Sequence, residues 1–287
     1  MIKPSGVWLP IITPFYEDRI DFDTLEGLIN HYLPKGIAGL IVLGTTGEIP
    51  TVSEKEFEEI MDFTLRVVNS RRPVFMGVGG NNTRNVLKIL KKVESYPVDG
   101  ILSVCPYYNR PSQQGLYQHF LKIAESTSLP IIIYNIPYRT GVNLNNDTLL
   151  ELARQSNIVG VKDSCGQIKQ SLSLLGTKPD DFSVLTGEDM LFYTTLVNGG
   201  DGGILAAAHL MTEIFVDVFE CVKNNDHLKA LSAWRRVEPF IPLLFKEPNP
   251  APLKYLLSCQ GLVRSQAVRA PLTPVTTDLQ TELDDFV

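Results

Sequence analysis

Lys162 follows four apolar residues, Ile158-Val159-Gly160-Val161, and is the residue of this sequence best placed for covalent chemistry. At the end of a buried strand an amine is poorly solvated. Desolvation disfavours the ammonium, lowers its pKa and makes the amine nucleophilic towards a carbonyl carbon. Tyr134 ends a similar run, Leu129-Pro130-Ile131-Ile132-Ile133, and its phenol could carry protons to and from an imine on that lysine. The turn Gly44-Thr45-Thr46-Gly47 offers backbone N–H groups and two hydroxyls, a set suited to a carboxylate. Arg139 could clamp a second carboxylate with two parallel hydrogen bonds. Each residue also has a plainer reading: a lysine snorkelling to water, a part-buried core tyrosine, an ordinary strand-to-helix turn, a solvated loop charge. Their convergence at the ends of successive strands carries the chemical reading.

The elements that must position these residues are short apolar runs alternating with amphipathic segments. The runs are Val7–Thr13, Gly39–Leu43, Val74–Val78, Gly100–Cys105, Ile131–Asn135, Ile158–Lys162, Phe182–Thr186 and Gly202–Leu205. They are rich in Val and Ile and lack polar alternation, as parallel strands covered on both faces do. Helix starts lie between them. Ser53 with Glu56 makes a capping box for a helix to Val68, and Thr83, Ser112, Asn145, Asp189 and Thr212 precede further helical stretches. Eight strand-helix units predict an α/β fold of the (β/α)8 barrel type, with active-site residues at the C-terminal strand ends. A doubly wound sheet would carry a glycine-rich first turn, and here the first strand ends in Thr13-Pro14-Phe15. In that frame the second strand delivers Thr45 and Thr46, the fifth Tyr134, the sixth Lys162, the seventh Gly187-Glu188-Asp189 and the eighth Ile204. Residues 1–225 are read as the barrel and 226–287 as a helical appendage, with helices over Asp226–Phe245 and Pro252–Gln260 and then a polar tail.

Composition narrows the function classes. Of 287 residues, 44% are apolar and 20% charged, enough to bury a large core without staples. The charge balance, 26 − 32 = −6, is spread along the chain with no basic block, which argues against a nucleic-acid binder. Cys105, Cys165, Cys221 and Cys259 form no C-x-x-C pair and the four histidines are scattered, so no metal site is expected. Few cysteines, no membrane-length apolar run and no leader pattern read as a soluble, cytoplasmic protein.

Five motifs together resemble the dihydrodipicolinate synthase and N-acetylneuraminate lyase superfamily. They are Gly44-Thr45-Thr46-Gly47-Glu48, Pro106-Tyr107-Tyr108-Asn109-Arg110-Pro111, Tyr134-Asn135-Ile136-Pro137, Val159-Gly160-Val161-Lys162 and Thr186-Gly187-Glu188-Asp189. Pro248-Asn249-Pro250 with Lys254, and Ala270-Pro271-Leu272-Thr273-Pro274, fit the same pattern, which runs from about Gly6 to Pro274. The resemblance implies a barrel with C-terminal helices, a homotetramer built as a dimer of dimers, and a pyruvate Schiff base on Lys162 with no further cofactor. It assigns Tyr134, Thr45 and Tyr108 to a proton relay, with Tyr108 reaching a neighbouring subunit. Thr46, Gly187 and Ile204 would contact the pyruvate imine. Arg139, in Tyr-Asn-x-Pro-x-Arg-Thr, resembles the synthase branch, where an arginine holds the carboxylate of aspartate semialdehyde in lysine and diaminopimelate biosynthesis.

The chain departs from that pattern at three places. Tyr138 stands where the synthases carry a small residue, and Ala206-Ala207-Ala208-His209 replaces a more polar stretch. Ile49, Glu54, Phe57 and Asn85 stand where lysine-inhibited synthases carry polar and histidine ligands, and only Asn81 and Tyr107 persist, so weak lysine feedback is expected. Two alternatives keep the barrel and change its use: a pyruvate-type aldolase or dehydratase acting on a 2-keto-3-deoxy sugar acid, or a non-catalytic barrel that binds a keto acid.

Overall fold

A computed structural model describes residues 3–285. Its strands are β1 (Gly6–Pro10), β2 (Phe15–Tyr16), β3 (Arg19–Ile20), β4 (Gly39–Val42), β5 (Val74–Gly77), β6 (Gly100–Val104), β7 (Ile131–Asn135), β8 (Ile158–Asp163), β9 (Ser183–Thr186) and β10 (Gly202–Ile204). β2 and β3 form a small antiparallel hairpin. The other eight follow the order β1-β10-β9-β8-β7-β6-β5-β4 in a closed barrel, with helices between successive strands and further helices at the C-terminal end: a (β/α)8 barrel. Every strand of the expected set is present. All five residues of β7 and all six of β8 are buried, which accounts for the apolar runs Ile131–Ile133 and Ile158–Val161 that open them.

The chain divides into two compact units. The first comprises the residues up to Gly6 and Val74–Ile204. Here β5 to β10 pair in parallel, and the register sets Tyr134 beside Lys162, Asn135 beside Asp163, and Asp163 beside Thr186. Its helices include Thr83–Val93, Gln113–Glu125, Asn146–Leu152, Ile168–Thr177 and Phe192–Val197. Ser112 caps its helix as read, accepting from the Gly115 N–H at 3.3 Å. The Thr83 reading needs correction. The cap is Asn82, whose side chain accepts from the Arg84 N–H, while the Thr83 hydroxyl is engaged with His119 Nδ1 at 2.9 Å. The helix Ile168–Thr177 had no recognisable start signal, because Gln167 supplies no side-chain cap.

The second unit comprises Val7–Pro73 and the chain from Leu205 onward. The capping box of the helix Glu54–Val68 forms in full, the Ser53 hydroxyl and the Glu56 carboxylate each taking the other's backbone N–H. The expected Asp226–Phe245 helix is split: an α-helix over His227–Val237, capped by Asp226, gives way to a 3₁₀ segment over Glu238–Phe245 that contains Pro239 and Pro242. Proline removes the donor an α-helix needs there. The polar tail is also a correction. Thr277–Asp284 is a helix, capped by Thr276 and anchored by Leu279 and Leu283, buried four residues apart on one face. Among the described residues no helix is long and apolar enough to cross a membrane.

Candidate active site

Within the first unit Lys162 and Tyr134 sit side by side at the ends of β8 and β7, with Lys162 Nζ 4.3 Å from the centroid of the Tyr134 ring. Both are buried, at 7% and 6% exposure. Burial moves the two groups in opposite senses because it penalises whichever form is charged. The Lys162 amine is lowered to about 8, desolvation outweighing the nearby Asp189 and Glu188 carboxylates, with Arg139 pushing the same way as burial. The Tyr134 phenol is raised, chiefly by burial, against the pull of Arg139. At neutral pH the pair therefore holds an amine with a readily lost proton beside a phenol that keeps its own. That is the arrangement needed to attack a carbonyl and then return protons to it.

The loop after β9 shapes the space around the lysine. The Gly187 N–H donates to the Asp163 carbonyl at 2.8 Å, holding the loop against β8. A side chain at Gly187 would begin 2.4 Å from Lys162 Cε and 2.3 Å from Ser164 Oγ. Glycine is needed here for close approach. Gly187→Ala is therefore expected to displace Lys162 and to slow imine formation at least 10-fold, since small misplacements of a reacting group are costly. Borohydride trapping with pyruvate under single-turnover conditions measures this, and a native trapping rate would contradict it.

Asp163 takes no part at the amine. Its carboxylate accepts from Ser171 Oγ at 2.6 Å and from the Cys165 N–H at 3.1 Å. The Cys165 thiol, pushed up mainly by burial, is not an activated nucleophile. Ser164 Oγ and Glu188 Oε1, by contrast, are buried on the lysine's side of the loop, where the Ser164 hydroxyl works against the burial that raises both the Tyr134 phenol and the Glu188 carboxyl. Burial raises the Glu188 carboxyl, and Lys162 opposes that shift.

Arg139 lies on the single helical turn Pro137–Thr140, closed by Gly141 in the left-handed region. Its guanidinium carbon is 5.9 Å from the Tyr138 ring centroid, and Tyr138 is 63% exposed. The stretch that follows is pinned from β7: Asn135 accepts from the Leu144 N–H at 3.0 Å and donates to Asn143 Oδ1 at 2.8 Å, while Asn143 donates to Gln170 Oε1 at 2.7 Å. This amide network explains why asparagine follows Tyr134. Ile204 ends β10 one residue beyond Gly203, which pairs with Thr186, and is buried. Tyr108 differs from the rest: it is 88% exposed, with φ 73°.

Thr45 and Thr46 belong to the second unit, in the turn that follows β4. Three groups from the C-terminal segment hold this turn. Asn249 Nδ2 donates to Thr46 Oγ1 at 3.0 Å. Lys254 Nζ donates to Glu48 Oε1 at 2.5 Å and to the Ala267 carbonyl at 2.9 Å, with both side chains of the ion pair fully buried. The Arg269 N–H takes the other Glu48 oxygen at 3.0 Å, and its guanidinium grips Glu56 through two hydrogen bonds, at 2.9 and 2.6 Å. That grip holds the Glu56 carboxyl down at about 2. Burial lowers the Lys254 ammonium to about 8, although Glu48 raises it. Glu48 itself adopts a left-handed backbone, φ 52°, strained for a non-glycine residue. Sequence reading placed Lys254 and Asn249 in a motif without a role. The available signal was a lone lysine inside the apolar stretch Ala-Pro-Leu-Lys-Tyr-Leu-Leu. Among the described residues no group of three His, Cys, Asp or Glu is placed to hold a metal ion.

Residues 3–287 match the Dihydrodipicolinate synthetase family. The chain is 52% identical over 286 residues to 4-hydroxy-tetrahydrodipicolinate synthase 2 of Clostridium acetobutylicum, covering 100% of both chains. It is similar to the crystal structure of dihydrodipicolinate synthase from Thermotoga maritima, with a TM-score of 0.96 and 36% identity over 99% of this chain and 97% of that one. It is also similar to the chloride-inhibited dihydrodipicolinate synthase of Acinetobacter baumannii in complex with pyruvate, with a TM-score of 0.95 and 34% identity over 98% and 97% of the two chains. A closed (β/α)8 barrel with a buried lysine and tyrosine paired at its strand ends, matched along its whole length, belongs to the dihydrodipicolinate synthase family of lyases.

Proposed function

We propose that this chain condenses pyruvate with L-aspartate 4-semialdehyde to 4-hydroxytetrahydrodipicolinate, through an imine on Lys162. The observation that carries the proposal is the buried Lys162 amine, lowered to about 8, packed against Tyr134. The neutral amine adds to the keto carbon of pyruvate, and the carbinolamine loses water to give the imine. Loss of a methyl proton gives an enamine, whose carbon attacks the aldehyde carbon of the second substrate. The amine of that substrate then adds to the imine carbon and displaces Lys162, closing the ring and freeing the enzyme. Tyr134 moves protons at Lys162, and the family resemblance adds Thr45 and Tyr108 to that relay. Thr46, Gly187 and Ile204 are assigned to pyruvate, and Arg139 to the carboxylate of the semialdehyde.

The same reading takes residues 1–225 as the catalytic barrel and 226–287 as its appendage, in a cytoplasmic homotetramer. Exposed apolar side chains favour self-association: Ile168 and Leu172, four residues apart on one helix, are each about two-fifths exposed.

Tyr138 motivates a second reading, in which the imine is kept and the acceptor is a sugar aldehyde. Turnover with aspartate semialdehyde against a panel of sugar aldehydes decides between the two. Arg139→Ala should raise the KM for aspartate semialdehyde about 10- to 100-fold with little change for pyruvate, since a hydrogen-bonded charge is worth about 1.5–3 kcal/mol. Higher kcat/KM for a sugar aldehyde, or an Arg139→Ala variant with native KM, would overturn the synthase assignment.

A further inference from the structure

The hydroxyl of Thr46 has one hydrogen to give, and the structure constrains where it goes. Asn249 Nδ2 lies 3.0 Å from Thr46 Oγ1, and both residues are buried, at 8% and 4% exposure. An amide NH₂ only donates, so Oγ1 is the acceptor in this contact. With a lone pair occupied in this way, the hydroxyl hydrogen is left to donate elsewhere. A partner that accepted from Thr46 would have the opposite effect, leaving only lone pairs to face an anion.

The donor is delivered by a stiff segment. Asn249 stands between Pro248 and Pro250, whose rings fix φ, and the helix Ala251–Cys259 begins directly after them. That helix is itself fastened to the Thr46 turn, because Lys254 pairs with Glu48 two residues further on. Asn249 thus has little freedom to turn away.

We propose that Asn249 is a positioning residue for keto-acid binding: its amide fills the acceptor side of Thr46 Oγ1 and so commits the hydroxyl hydrogen to the carboxylate of pyruvate. This rests on the assignment of Thr46 to pyruvate given above. Asn249 need not touch the substrate to act in this way.

The test reverses the donor at nearly constant shape. Asn249→Asp makes the partner an acceptor, which draws the Thr46 hydrogen away from the substrate. It should raise the KM for pyruvate, and the half-saturating pyruvate for borohydride trapping on Lys162, about 10- to 100-fold. The KM for the aldehyde should stay within about twofold. Asn249→Ala frees the hydroxyl to rotate and should raise the pyruvate KM less, about three- to tenfold. It also covers the case in which the aspartate variant fails to fold. In a Thr46→Val background, neither substitution should raise the pyruvate KM further. Native pyruvate KM in Asn249→Ala, or an undiminished effect in the Thr46→Val background, overturns the proposal for Asn249 alone. A native pyruvate KM in Thr46→Val itself removes the underlying assignment, and the proposal with it.

Discussion

Replacing Lys254 with methionine is expected to destabilise the protein by about 3–5 kcal/mol, the usual consequence of leaving one partner of a buried ion pair alone. Methionine keeps much of the volume of the lysine stem, so the loss reports on charge and not on a cavity. Glu48 would keep the Arg269 N–H on one carboxylate oxygen and lose the ammonium from the other, in a place where its side chain has no exposure. Since domains are stable by about 5–15 kcal/mol in all, the variant would fold poorly near physiological temperature. Neutralising both partners, Glu48→Gln with Lys254→Met, should recover most of the loss, because a buried pair exchanged as a whole is often close to neutral. Urea unfolding of the two single variants and the double variant measures the coupling. A Lys254→Met variant within about 1 kcal/mol of native would show that the pair does not hold the turn.

The second large effect is at Lys162, and activity and stability should move in opposite directions. Lys162→Met removes the nucleophile, so turnover and pyruvate adduct formation are expected to fall below detection. The folded-state pKa of this lysine, about 8, lies below its ordinary value of 10.5. Between those values the unfolded chain binds more protons than the folded one, so native stability rises with pH across that window. Below pH 8 the native protein bears the full cost of a poorly solvated ammonium, which methionine removes. The variant should therefore melt several degrees above native at pH 7, with the gain shrinking towards pH 10. A variant less stable than native at pH 7 would mean that the carboxylates of Asp189 and Glu188 compensate the buried charge in full.

The barrel was legible because both faces of each parallel strand are buried, which leaves uninterrupted Val- and Ile-rich runs. The nearness of Lys162 and Tyr134 was legible because successive parallel strands set the polar residues at their ends side by side, here in register across β7 and β8. The amphipathic helices were less so. Thr83 lost its capping role to Asn82 because the threonine hydroxyl found His119, a partner 36 residues away that local spacing cannot reveal. The tail became a helix through Leu279 and Leu283, two apolar residues that composition averages into a polar stretch. The support of the Thr45–Thr46 turn was invisible for the same reason. Asn249 and Lys254 lie some 200 residues from Thr46 and Glu48, so only the folded chain brings them together. The steric demand at Gly187 likewise depends on the path of Lys162, which the sequence does not spell out.

The most direct measurement is reductive trapping: incubate the native enzyme with pyruvate, reduce with borohydride, and map the adduct by mass spectrometry across a pH series. One pyruvate-derived adduct per chain is expected, on Lys162, with the initial trapping rate rising as pH climbs through about 8, where the amine loses its proton. An unmodified Lys162, or an adduct on another lysine, would contradict the imine mechanism at its first step.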